Sequence, residues 1–274
     1  MKMVRKPAVA GQFYPGSEKE LGRMIESCFK HPLGPGKIPD TSGTERNIKG
    51  LVVPHAGYMY SGPIAAHGYS ALYEDGGPEV VVLVGPAHRG YAAGPASVDK
   101  RDYETPLGKV EVDRELVAKM AKEPIMVDEL AHQGEHSLEV QIPFLQYLFE
   151  DIKIVPVLIN KQDYETSRDV GKVIRDTIEG KDTVVIASTD FSHYVRKDVA
   201  EKTDRLAIDP ILKNDPKGLY QAVRSNNISM CGYGPVIAMM VATEYQECKL
   251  LKYGTSGDIS PMRDVVGYAS LICR

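Results

Sequence analysis

The chain has few of the features that assign a protein at sight. Its 274 residues include four cysteines, Cys28, Cys231, Cys248 and Cys273, with no CxxC pair among them. That spacing offers neither a disulfide framework nor a zinc ribbon, and mostly reduced thiols are expected. No apolar run approaches the roughly 20 residues of a membrane span, and the early positive charge of "MKMVRKPAVAGQFYP" is not followed by the apolar stretch of a secretory signal. The expectation is a soluble, cytoplasmic protein with no membrane partner. Lysine and arginine are scattered and the formal net charge is -4, so there is no electrostatic footprint for nucleic acid. "GPGK" lacks the length and context of a phosphate loop, and "YGTSGD" lacks the Gly-x-Ser-x-Gly spacing of a nucleophile elbow. No internal repeat or low-complexity tract marks a second domain, so one domain over residues 1–274 is expected.

What is present is a hydrophobic fraction of 43%, enough for a substantial core. Short apolar runs near Leu51, Val82, Val155 and Val185 and in "VVGYASLIC" read as strands buried on both faces. Helical spacing recurs between them, over 21–29, 64–73, 115–120, 138–149, 170–178 and 235–245. Such alternation predicts an α/β fold, a three-layer α/β/α sandwich around a mainly parallel or mixed sheet. The Gly- and Pro-rich segment 30–47 reads as a surface loop.

Ligands of open α/β sheets bind beyond the carboxyl ends of the strands. Three such ends carry a histidine: "GLVVPHAG" places His55, "VVVLVGPAHRG" places His88, and "TVVIASTDFSHY" places Asp190 and His193. Pro54 and Gly57 are expected to fix His55 over the sheet edge through a sharp reversal, with Ser61 or Gly62 capping the helix that follows and Pro63 in its first turn. One strand-end histidine is ordinarily a hydrogen-bonded structural residue. Three at comparable positions favour a transition-metal or acid–base site. Cys231, in "SNNISMCGYGPVIAMM", reads either as a small buried residue or as a thiol near a helix amino terminus, where a thiolate is favoured. His136 reaches a site or orders a helix entrance, the two readings being equal. His132 is assigned to a mobile loop, His67 to a structural place in a helix and His31 to loop surface. "YGTSGDISPMRD" walls a pocket or, more simply, forms a solvated turn after a strand near 249–253. Tyr14, Tyr58, Tyr60, Tyr194 and Tyr233 are candidate aromatic neighbours of the site.

Taken together, "RKPAVAGQFYPG", "VPHAGYMYSGP", "GPAHRG", "GEHSLEVQIPFL", "STDFSHY", "MCGYGP" and "YGTSGD" resemble the Memo family, named for a mediator of cell motility, over nearly the whole chain. The resemblance implies a single Memo/LigB-like domain, similar in fold to the class III, LigB-type extradiol dioxygenases, which are non-haem iron enzymes that cleave catechol rings. It implies metal ligands at His55, His88 and Cys231, an acid–base His193 with Asp190 beside it, and a family position of unassigned role at His136. A cysteine stands where the dioxygenases place a carboxylate, and the softer thiolate extends the expected metals from iron to copper and zinc. The leading expectation is a metal-dependent oxidoreductase acting on a small, aromatic substrate, with Asp190 orienting His193. The alternatives are a metal-independent Cys231–His193–Asp190 thiol hydrolase or transferase, and a non-enzymatic pocket for phosphotyrosine peptides in which imidazoles and Arg89 meet the anion. Oligomeric state is open.

Overall fold

A computed structural model describes residues 3–90 and 92–274. Twelve strands form one mixed sheet: β1 (Val4–Arg5), β2 (Gly50–Val53), β3 (Val80–Pro86), β4 (Ala96–Val98), β5 (Asp102–Thr105), β6 (Gly108–Val112), β7 (Ile125–Val127), β8 (Lys153–Ile159), β9 (Thr183–Ser188), β10 (His193–Arg196), β11 (Cys248–Thr255) and β12 (Asp264–Cys273). The order is β1-β5-β6-β8-β3-β9-β2-β12-β10, with β11 also on β12 and β4 joining β7 to β8. Strands β8, β3, β9 and β2 are parallel, and every residue of β2 and β3 is buried. Runs such as "GLVV" and "VVVLVG" therefore lack polar alternation because helices cover both faces.

The helices are α1 (Glu18–Lys30), α2 (Tyr58–Asp75), α3 (Arg114–Met120), α4 (Glu129–His132), α5 (Ile142–Leu148), α6 (Tyr164–Ile178), α7 (Lys197–Leu212), α8 (Pro216–Ser225), α9 (Tyr233–Thr243) and α10 (Ser256–Ile259). Alternation along β2 fixes the layers. A Cβ on Gly68 of α2 would meet Leu51 and Val53, whereas a Cβ on Gly50 would meet Met239 of α9. Residues 51 and 53 share one face and residue 50 the other, so α2 and α9 cover opposite faces, as a three-layer α/β/α fold requires.

Several local expectations are revised. Helix α2 begins at Tyr58, so Pro63 lies inside it rather than in its first turn. The early start is possible because Phe13 O accepts the Tyr58 N–H and Gly57 O accepts those of Tyr60 and Ser61. Gly57 has φ -56° and ψ 141°, open to any residue, so no glycine-dependent reversal occurs there. The helix expected over 138–149 is a 3-10 turn, Glu139–Gln141, running into α5. Helices α7 and α8 were not foreseen. In α7 the buried stripe is Ala200, Asp204, Ala207, Ile208 and Ile211, a carboxylate and two alanines diluting its apolar signal. Asp215 caps α8 and Pro216 opens it, a readable start signal. The thiol expectation fails for two cysteines: Cys248 and Cys273 are opposed in the β11–β12 register and form a disulfide, while Cys28 and Cys231 are free. Cysteines distant in sequence are brought together by strand pairing, which spacing does not reveal.

Candidate metal centre

The site lies beyond the carboxyl ends of β2, β3 and β9, in a cavity of about 480 Å³ lined by His55, His88, His136, Asp190 and His193. His55 follows β2 and is buried. Its Nδ1 lies 2.9 Å from Ser188 Oγ, and the Ser188 hydroxyl donates its own proton to Ser137 O at 2.6 Å. A hydroxyl has one proton, so His55 Nδ1 must be the donor in this pair. Nε2 is then a bare lone pair, 3.2 Å from Cys231 Sγ. Gln141 secures the arrangement by donating to Ser188 Oγ at 2.7 Å and to Pro54 O at 3.0 Å.

His88 follows β3 and is held by Glu135, whose Oε2 accepts its N–H and whose Oε1 accepts from its Nδ1 at 2.9 Å. Nε2 is again the ring nitrogen turned away from the acceptor, and a carboxylate behind an imidazole raises its basicity as a ligand. The Glu135 carboxylate also accepts the backbone N–H of His136 and Ser137. These hydrogen bonds hold it well below the usual carboxylate range, although burial, the largest single influence, acts in the opposite sense. The His136 ring is stacked on His88 at 4.5 Å and on Phe13 at 4.7 Å. Burial pushes its pKa down to about 4, and burial holds His55 well below the ordinary value too. Both rings are therefore neutral near neutral pH, the form in which an imidazole binds a metal.

Cys231 sits two residues before α9, where Asp190 N–H donates to its Sγ at 3.2 Å. The expected thiolate-favouring helix end is overridden: burial, then the Asp190 charge, push this thiol up. Asp190 does not orient His193. Its Oδ1 accepts the His55 N–H at 2.8 Å, and burial raises its pKa to about 6. His193 instead faces Ser229 O from Nδ1 at 2.8 Å. A carbonyl can only accept, so Nδ1 carries a proton. The 190–193 loop is pinned by Asp204 of α7, which accepts from Ser192 N at 2.9 Å, Ser192 Oγ at 2.5 Å and Tyr253 OH at 2.7 Å.

One Nε2 or Nδ1 atom from each of His55 and His88 and the Cys231 sulfur all lie within 4.8 Å of one another. His88, Glu135 and His136 satisfy the same measure, but the Glu135 oxygens are occupied by the ring and backbone donors just described. The first set has the spare lone pairs. Of the tyrosines singled out above, Tyr60 and Tyr194 line the cavity; Tyr14 and Tyr58 are core residues, and Tyr233 packs beside Tyr220 on α8. His132 is not in a mobile loop: it is buried in α4 between Ser97 Oγ at 3.2 Å and Tyr103 OH at 3.0 Å. His67 bonds Leu33 O at 2.9 Å within α2, and His31 caps the end of α1.

Sequence reasoning missed Phe13, Tyr268 and the part played by Glu135. Phe13 reaches the cavity because the amino-terminal segment is tied down by buried Glu139, which accepts from Arg5 at 2.6 Å, Tyr14 OH at 2.6 Å and the Ala8 and Val9 N–H groups. An isolated Arg5 near the start of the sequence gives no signal of such a partner. Ser256 and Met262 of "YGTSGDISPMRD" do wall the pocket.

The profile of the family described as "Memo-like protein" matches residues 5–272. The chain is 48% identical over 277 residues to a MEMO1 family protein of Methanothermobacter thermautotrophicus, covering 98% of this chain and 100% of that one. It is 48% identical over 281 residues to a MEMO1 family protein of Methanopyrus kandleri, covering 99% of each. Among solved structures, an uncharacterized protein from Escherichia coli K12 shares the fold at a TM-score of 0.51 and 15% identity, covering 81% of this chain and 99% of that one. The match along almost the whole chain, joined to the strand-end motifs that build the site, places this protein in the Memo family.

Proposed function

We propose that this protein is a metal-dependent oxidoreductase of the extradiol-dioxygenase type, holding iron(II), or else copper or zinc, on His55, His88 and Cys231. The observation that carries the reading is the convergence of two imidazole nitrogens and a sulfur within 4.8 Å, with each imidazole proton already committed to a protein acceptor on the far side of its ring. Such a set suits a soft or borderline cation. When bound there, a redox-active ion supplies a Lewis-acidic centre with positions open to a small aromatic substrate.

The chain's own residues do the rest. His193 lines the cavity and is placed to take a proton from a substrate hydroxyl through Nε2, while Ser229 O accepts from its Nδ1–H. Phe13, Tyr60 and Tyr268 pack an apolar body and exclude water. The thiol-nucleophile alternative is less well supported, because it needs His193 as base whereas the imidazole touching Cys231 is His55. A metal content near one equivalent is expected after anaerobic loading with Fe(II). It should be lost in His55→Ala, His88→Ala and Cys231→Ser, whereas His193→Gln keeps the metal but loses catechol-dependent oxygen uptake. Full metal content in His88→Ala would refute the reading.

A further inference from the structure

The wall of the cavity opposite the strand ends is built by β12, and its composition points to a ligand chemistry. Asp264, Val266 and Tyr268 alternate along the strand and all three line the cavity. With a rise of about 3.4 Å per residue, this stripe runs roughly 14 Å from Tyr268 to Asp264. Tyr268 is buried and marks the inner end, whereas Asp264 is exposed. Asp264 therefore marks the outer end.

Asp264 is exposed and makes no ion pair or side-chain hydrogen bond among the described residues. Arg263, the residue before it, is exposed and does not line the cavity, and the cations across the strand pair and at the start of α7 are engaged elsewhere. Arg196, its register partner on β10, turns its guanidinium to Asp198 at 3.0 Å, and Lys197 pairs with Asp258 at 2.5 Å. Among the described residues no lysine or arginine lines the cavity; its formally charged side chains, the histidines apart, are the carboxylates Asp190 and Asp264. Arg89 opens instead onto a separate cavity with Leu130 and Gln133. A divalent ion on two neutral imidazoles and one thiolate would keep a single positive charge, which the Glu135 carboxylate behind His88 and the adjoining Asp190 more than balance. Asp264 is then a surplus negative charge at the far end of an aromatic and apolar trough made by Phe13, Tyr60, Tyr194 and Met262.

We infer that Asp264 selects a ligand with an apolar or aromatic body ending in a cationic group, an amine or guanidine, and that phosphorylated or carboxylate-terminated ligands are disfavoured. This rests on the metal-centre reading for the inner end of the ligand. An amine at the outer end meets the Asp264 carboxylate and the faces of flanking tyrosines, which attract a cation. An anion there meets only a like charge.

The test is equilibrium binding by calorimetry without oxygen, with three probes that share a ring and differ in the end group: dopamine, 4-ethylcatechol and 3,4-dihydroxyphenylacetate. Each is titrated into Zn(II)-loaded and metal-free protein, so a failure of metal uptake is seen separately and the charge ordering is still read. The amine is expected to bind about two- to fivefold more tightly than the neutral probe, the upper range of an exposed ion pair, and the acid correspondingly more weakly. Asp264→Asn should abolish both differences while leaving 4-ethylcatechol affinity unchanged. Equal affinities for the three probes in the parent, an ordering that survives in Asp264→Asn, or no binding of any probe to either form overturns the inference. Loss of metal uptake with the ordering intact overturns only the metal-centre reading.

Discussion

A histidine's role is decided by what sits behind its ring, and three positions show it. His55, His88 and His193 each present Nε2 because Ser188, Glu135 and Ser229 respectively face Nδ1. The positions of all three were legible in the sequence, because a strand end is a position that apolar runs reveal; Cys231, before a helix, stood out only by its glycine-rich setting and the family resemblance. Their supporting acceptors were not, since Glu135 and Ser229 belong to segments that only the tertiary fold brings near. His132 illustrates the opposite fate. It is buried with both ring nitrogens occupied, and burial lowers its pKa from 6.5 to about 4. The unfolded chain takes up a proton below pH 6.5 that the folded protein refuses, so stability is complete above that value and falls as pH drops toward 4. The contribution is about 3 kcal/mol. Urea unfolding of metal-free protein between pH 7 and 4 should show this loss, with a shallower slope in His132→Gln; the remaining slope belongs to His55, His67 and His136, which are lowered as well, less the opposing contribution of Asp190, which is raised. Identical slopes in the two proteins would contradict the assignment.

At the scale of elements, the seat of Cys231 depends on how closely α9 approaches β9. A Cβ on Gly232 would lie 2.6 Å from Ser188 O and 2.7 Å from Thr189 Cβ, so only glycine fits between the helix start and the strand end. The same residue gives its N–H to Thr189 Oγ1 at 2.9 Å. Gly232→Ala should cost about 1–3 kcal/mol by overpacking. It should also displace the neighbouring sulfur, weakening Zn(II) binding at least about tenfold (1.4 kcal/mol) while the far-ultraviolet dichroism stays that of the parent. Unchanged affinity would show that the helix start is free to move. The central strands and α1, α2, α6 and α9 were readable from periodicity. Strands β4 to β7 were not, being three to five residues long and, β4 apart, partly exposed, too short for a period to register.

For the whole molecule, one sheet ties distant segments together. The expected α/β/α layering is present, whereas the strand order was beyond reach of a single sequence, since buried strands of similar composition carry no label for their neighbours. The pairing of Cys248 with Cys273 follows from that order, closing a separation of 25 residues. Chain-entropy reasoning assigns such a link about 3 kcal/mol. The double variant Cys248→Ser, Cys273→Ser should unfold at correspondingly lower denaturant than the oxidised parent, with metal uptake intact because the pair lies at the end of β12 opposite the cavity stripe. Equal midpoints would mean that the bond is not formed in solution.

The sheet order also sets a sequence of events in time. Strand β2 lies between β9 and β12, both supplied by much later residues. As the chain is synthesised, His55 and His88 emerge on loops long before Cys231 and the wall from Asp264 to Tyr268. On the metal-centre reading, a cation meeting the growing chain finds two imidazoles and no thiolate. Capture by the full ligand set then follows the pairing of β2 with β9 and β12.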